Sequence, residues 1–133
     1  MIDDEKRKLL VVYRIEQAKE TISEAELLFV NQKYRASVNR VYYGMFYCIL
    51  ALGLKYCFET SKHQQLIGWF NKNFIHTGKI QRKYGEIIKN AFRNRNKGDY
   101  ETEVVFNKEQ VDAMISDMKE FIGVMELYLT ENE

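Results

Sequence analysis

The polar cluster Arg93 to Tyr100, RNRNKGDY, gathers the residue types best suited to chemistry in this chain. Arginine forks match phosphate oxygens, while asparagine and tyrosine side chains can contact bases or ribose. The same residues also allow a plainer account. Arg95 can pair with Asp99 four residues on, leaving a solvated helix end. Both accounts stand at this point. His63 and His76 are the only two histidines. His76 has no Asp, Glu, Cys or His three or four residues away, and His63 has only Glu59, short of the three or four clustered ligands a metal site needs. No metal or other cofactor is therefore expected. No glycine-rich phosphate loop and no nucleophile elbow occurs.

These residues must be positioned by helices. The 133-residue chain has no proline, and its apolar residues fall at helical spacing. It is expected to form one all-α domain, an up-down bundle of four to five helices. The central element is Tyr34 to Cys57. Between Arg40 and Lys55 runs VYYGMFYCILALGL, fourteen residues without a charge. Such a run is too short to span a bilayer and fits a buried core helix. Val38, Val41, Met45, Ile49 and Leu52 mark one apolar face, and Tyr43, Phe46, Tyr47, Leu50 and Leu54 a second. A helix with two apolar faces needs neighbours on both sides. That surplus of apolar surface predicts a homodimer.

The remaining elements follow from stripes and caps. Asp4 to Phe29 reads as the first helix, with Ile15, Ala18, Ile22, Ala25 and Phe29 inward. Ser61 with Gln64 fits a capping box for a short third helix ending at Thr77-Gly78. The fourth helix is placed at Lys79 to Lys97, with Gly98 as its stop. Asn107 with Gln110 caps the fifth, whose stripe runs from Val111 to about Leu129. Cys48 and Cys57, roughly 13 Å apart along a helix, are too distant for a disulfide with each other. Both are read as small buried hydrophobes. The charged N-terminus has no signal-peptide pattern, so a cytoplasmic protein without a membrane span is expected.

The formal net charge of +1 conceals an asymmetry. Lys79 to Lys97 carries seven Lys or Arg against Glu86, and Glu109 to Glu133 carries seven acids against Lys119. A basic element on a near-neutral protein suits a polyanionic partner, or it pairs with acids of its own molecule or dimer.

Four segments in order resemble one family. NRVYYGMFYCILAL resembles the second-helix signature of HEPN domains. Ser61-Lys62-His63 resembles the polar motif opening the next helix. Phe74 with Thr77-Gly78-Lys79-Ile80 resembles the following turn. Arg95 with Asp99-Tyr100 resembles the Arg-x3-Asp-Tyr segment of one small bacterial and archaeal branch. The resemblance implies a dimeric bundle acting on or binding RNA. It implies a toxin-type protein paired with a minimal nucleotidyltransferase antitoxin, many such proteins being metal-independent endoribonucleases. Carried onto this chain, it implies Arg95 and Tyr100 as catalytic residues. Asn39, Arg40, Tyr43, Arg93, Arg95 and Asp99 become RNA- or nucleotide-binding residues.

The chain departs from the family pattern at one point. Where nuclease members have a histidine a few residues after the arginine, this chain has none, and no histidine follows His76. Cleavage through the ribose 2′-hydroxyl needs a base, an acid and a cation. Arg95 can supply the cation. Tyrosine, with a pKa near ~10, is a poor base at neutral pH. His63 can stand in if the fold brings it to the dimer cleft. The alternative is a non-catalytic HEPN dimer that binds nucleotide or a nucleotidyltransferase.

Overall fold

The computed structural model describes residues 2–131. Its regular elements are α1 (Asp4–Val30), α2 (Tyr34–Lys55), α3 (His63–Phe70), a π-helical turn (Asn71–Ile75), α4 (Arg82–Tyr100) and α5 (Lys108–Glu131). No strand occurs among the described residues, and the expected all-α bundle is observed.

Helix α2 lies at the centre and packs on α1, α3, α4 and α5. Its first apolar face is fully enclosed: Val38, Val41, Met45, Ile49 and Leu52 are all buried. Gly44 permits this enclosure. A Cβ there would lie 2.4 Å from both Met118 Cε and Thr21 Oγ1, so the missing side chain lets α1 and α5 close on α2. Ser37 adds a buried tie, its hydroxyl donating to the Ala25 carbonyl at 2.8 Å. The second face is covered only in part. Phe46 is buried, but Tyr43, Tyr47, Leu50 and Leu54 remain half-exposed.

Several boundaries differ from the sequence expectation. The third helix starts at His63, with Lys62 in the cap position and no side-chain cap bond. Thr60, rather than Ser61, does the local work: its hydroxyl accepts from the Lys62 amide and donates to Gln65 Oε1. The fourth helix starts at Arg82, because the Ile80 amide bonds back to the Phe74 carbonyl and buries Ile80 first. The expected capping box of α5 does form, Asn107 and Gln110 exchanging amide-to-side-chain bonds of 2.8 and 2.9 Å.

Gly98 is no stop. Helix α4 continues through it to Tyr100. The reason is packing, since a Cβ at Gly98 would sit 3.1 Å from the Phe106 ring. Its small size, not a left-handed conformation, is what the fold uses. The two cysteines also part company. Cys48 is buried, while Cys57 lies beyond the end of α2, exposed and with φ 61°.

Candidate functional site

The polar start of α2 meets the end of α4. Arg35, in the first turn of α2, joins them. Its guanidinium donates to the carbonyls of Gly98, of Glu101 at 3.0 Å and of Val104 at 2.5 Å. The last carbonyls of a helix lack partners within it. One arginine thus satisfies the end of α4 and fixes the chain leaving it.

One turn further along α2, Asn39 reaches Asp99, its amide nitrogen 3.1 Å from Oδ2. Asp99 also holds Arg95, four residues back on α4, at 3.6 Å. The plainer account of this segment, an Arg95–Asp99 pair, is therefore realised, but not as a solvated helix end. Arg95 is only 8% exposed. Its guanidinium carbon lies 4.9 Å from the Tyr42 ring centre, 5.6 Å from Tyr43 and 5.7 Å from Phe92. Desolvated cation–π contacts of this kind are worth about 2 kcal/mol or more. Arg95 Nε is buried and has no hydrogen-bond partner among the described residues. Arg40 borders the cluster, stacked at 5.2 Å on Tyr43, bonded to Asn39 Oδ1 and paired with Glu24 at 3.4 Å.

The same rings bring in a histidine. Tyr42 is fully buried, and its hydroxyl lies 2.6 Å from His63 Nδ1. The imidazole lies flat on Phe46, ring centres 4.0 Å apart and planes 10° from parallel. Burial, and then the charge of Arg95, pushes the His63 pKa below the usual imidazole value. Burial pushes the Tyr42 phenol well above its ordinary value, with Arg95 opposing. The phenol thus stays protonated and the imidazole neutral at pH 7.

Asn39, Arg40, Tyr43, Arg95 and Asp99 come together as one cluster. Arg93 and Tyr100 stand apart from it. Five residues turn a helix by about 140° beyond a full circle, so Tyr100 faces away from Arg95. Tyr100 is 75% exposed. With Lys89, Phe92, Arg93, Asn96, Lys97 and Glu101 it lines a shallow groove on the outer side of α4. Phe92 belongs to both regions, packing its ring 5.6 Å from Tyr42 on the inner side.

Tyr42, Phe46 and Arg35 were not singled out as site residues from sequence. A signal for Tyr42 exists, because it falls on the Val38–Met45–Ile49 stripe and a buried phenol seeks a partner. Which partner it finds depends on where α3 docks. Among the described residues no three His, Cys, Asp or Glu side chains group as metal ligands would. No helix there is long and apolar enough to cross a membrane.

Against known proteins, residues 11–128 match the model of the HEPN domain. A UPF0332 protein of Thermotoga maritima is 34% identical over 92% of this chain and 92% of its own length. Two Methanocaldococcus jannaschii proteins, each named as a candidate toxin, are similar as well. One is 34% identical over 88% of this chain and 87% of its own. The other is 30% identical over 86% and 78%.

Proposed function

Because this chain belongs to the HEPN domain family, we propose that it is a toxin-type HEPN protein that acts on RNA. Its counterpart in this proposal is a minimal nucleotidyltransferase antitoxin. The names of the two M. jannaschii relatives support the toxin assignment. The observation that carries the RNA assignment is the outer face of α4. Arg82, Lys89, Arg93 and Lys97 recur there at helical spacing, exposed, with no ion pair among the described residues. Glu86 interrupts them, and Glu101 lies at the far end of the groove beyond Lys97. A row of unneutralised cations along roughly 22 Å of helix suits a phosphate backbone. Tyr100 and Phe92 in the same groove offer rings on which bases can stack. Arg95 lies one face inward, beside Phe92, where it can receive the charge of a phosphate.

The acting species is a homodimer. The half-covered stripe Tyr43, Tyr47, Leu50 and Leu54 supports this, together with Leu9, Val12 and Tyr13 of α1, which are 70%, 58% and 58% exposed. Sedimentation of a monomer at micromolar concentration would remove this part of the proposal.

The first test is binding of single-stranded and transfer RNA in EDTA across a salt series. Affinity should fall with salt, and Arg93→Gln with Lys97→Gln should flatten the log–log slope by about 1.4, two single-strand phosphate contacts at ~0.7 each. No affinity, or affinity indifferent to salt and to both substitutions, would sink the RNA assignment. One observation favours a second assignment, a dimer that binds nucleotide or the nucleotidyltransferase and cuts nothing. The segment after Arg95 has no histidine, and Tyr100 turns outward. RNA cleavage in EDTA that disappears in Arg95→Ala would exclude that second assignment.

A further inference from the structure

We propose, resting on the RNA assignment above, that His63 is the proton-transfer residue of this site, positioned by Tyr42 and matched to Arg95. Three features of the structure converge on it. The Tyr42 hydroxyl engages Nδ1 at 2.6 Å, so the ring has one fixed edge. Phe46 supports its flat side at 4.0 Å. Nε2 makes no hydrogen bond among the described residues and is the ring atom left for a ligand. The side chain is half-exposed, so it combines fixed orientation with access.

The surroundings suit a base. The titratable or charged groups facing the imidazole are Tyr42 and Tyr43 of α2 and Arg95 of α4. None is an acid, and the ring is neutral at pH 7, as a base must be. The Tyr42 oxygen can accept from an Nδ1–H, which leaves the lone pair on Nε2. Arg95 opposes a proton on His63 while Asp99 is its one ion-pair partner among the described residues. A phosphate bound at Arg95 cancels that opposition, so substrate itself makes His63 more basic.

Nε2 takes the proton of a ribose 2′-hydroxyl as that oxygen bonds to the adjacent phosphorus. The P–O5′ bond breaks with its electron pair on O5′, which takes a proton from water. The products are a 2′,3′-cyclic phosphate and a 5′-hydroxyl, and His63 then releases its proton to solvent. Arg95 stabilises the charge on the phosphorus oxygens meanwhile.

The experiment compares the full chain with His63→Gln and Tyr42→Phe on single-stranded RNA in EDTA. Cleavage is followed against pH and affinity by fluorescence anisotropy, with cooperative unfolding checked for each variant. Cleavage by the parent should yield cyclic phosphate ends and fall on the acid side of its pH profile. His63→Gln should lose ~100-fold or more of the rate and the acid limb, with affinity within about threefold. Tyr42→Phe should lose less and move the limb. If Tyr42→Phe does not fold cooperatively, imidazole added to His63→Gly decides in its place, and rescue is expected. Three results overturn the proposal and leave the RNA assignment standing: cleavage by His63→Gln within about threefold of the parent, affinity lost in step with rate, or a parent that binds RNA and leaves it intact. A parent that neither binds nor cleaves overturns both.

Discussion

The two faces of α4 each present an arginine, and the two arginines do opposite physical work. Inward, Arg95 is buried under three aromatic rings, tied to Asp99 and, through Asp99, to Asn39 of α2. Outward, Arg93, two residues away, is exposed with no ion pair among the described residues. A buried guanidinium is dehydrated and held in one geometry, so it can act on a particular atom. An exposed one keeps its water and contributes long-range attraction. Charge type alone therefore does not separate a group that acts on one atom from one that gathers polyanions. Burial does.

The largest test of that contrast is stability. Arg95→Ala empties a site lined by Tyr42, Tyr43 and Phe92 and should cost about 2–4 kcal/mol in urea unfolding. Arg93→Ala should stay within about 0.5 kcal/mol. Equal losses would erase the distinction between the faces.

A smaller effect belongs to the hydroxyl between α2 and α3. Tyr42→Phe removes the His63 bond while keeping the ring under Arg95, and should cost about 1–2 kcal/mol. If it costs nothing, α3 is held by Phe46 stacking and its Leu66, Ile67 and Phe70 core contacts, and the bond only orients the imidazole.

The smallest effect is in pH. The folded-state pKa of His63 lies below its unfolded value, because of burial and then Arg95. The unfolded chain therefore binds the proton more readily. The contribution is fully present above the unfolded pKa of about 6.5 and is lost as pH falls through the folded value. Melting temperature of the parent should drop between pH 7 and pH 5 by more than that of His63→Gln. Parallel curves would mean that neither burial nor Arg95 disfavours a proton on His63.

The helices were legible because their causes are local. The stripe of α5 and its Asn107–Gln110 box, the charge-free run of α2 and the absence of proline each act within a turn or two of chain. Boundaries set by distant partners were not legible. Gly98 has the residue type of a helix stop, yet Phe106 and Arg35 make it a packing contact inside α4. Cys57 continues an apolar run, yet the chain turns there and leaves it exposed. The site divides in the same way. Arg95 and Asp99 are four apart on one helix, so their pairing follows from spacing alone. The turning of Tyr100 away from Arg95 was equally implicit in helix geometry once α4 extends past Gly98. That Asn39 meets Asp99 across sixty residues, and that Tyr42 meets His63 across twenty-one, was decided only by how α3 and α4 dock on α2. Periodicity states which face of a helix is buried. It does not state which residue of another helix will lie against it, because that depends on crossing angles and on small residues such as Gly44 that let the helices approach.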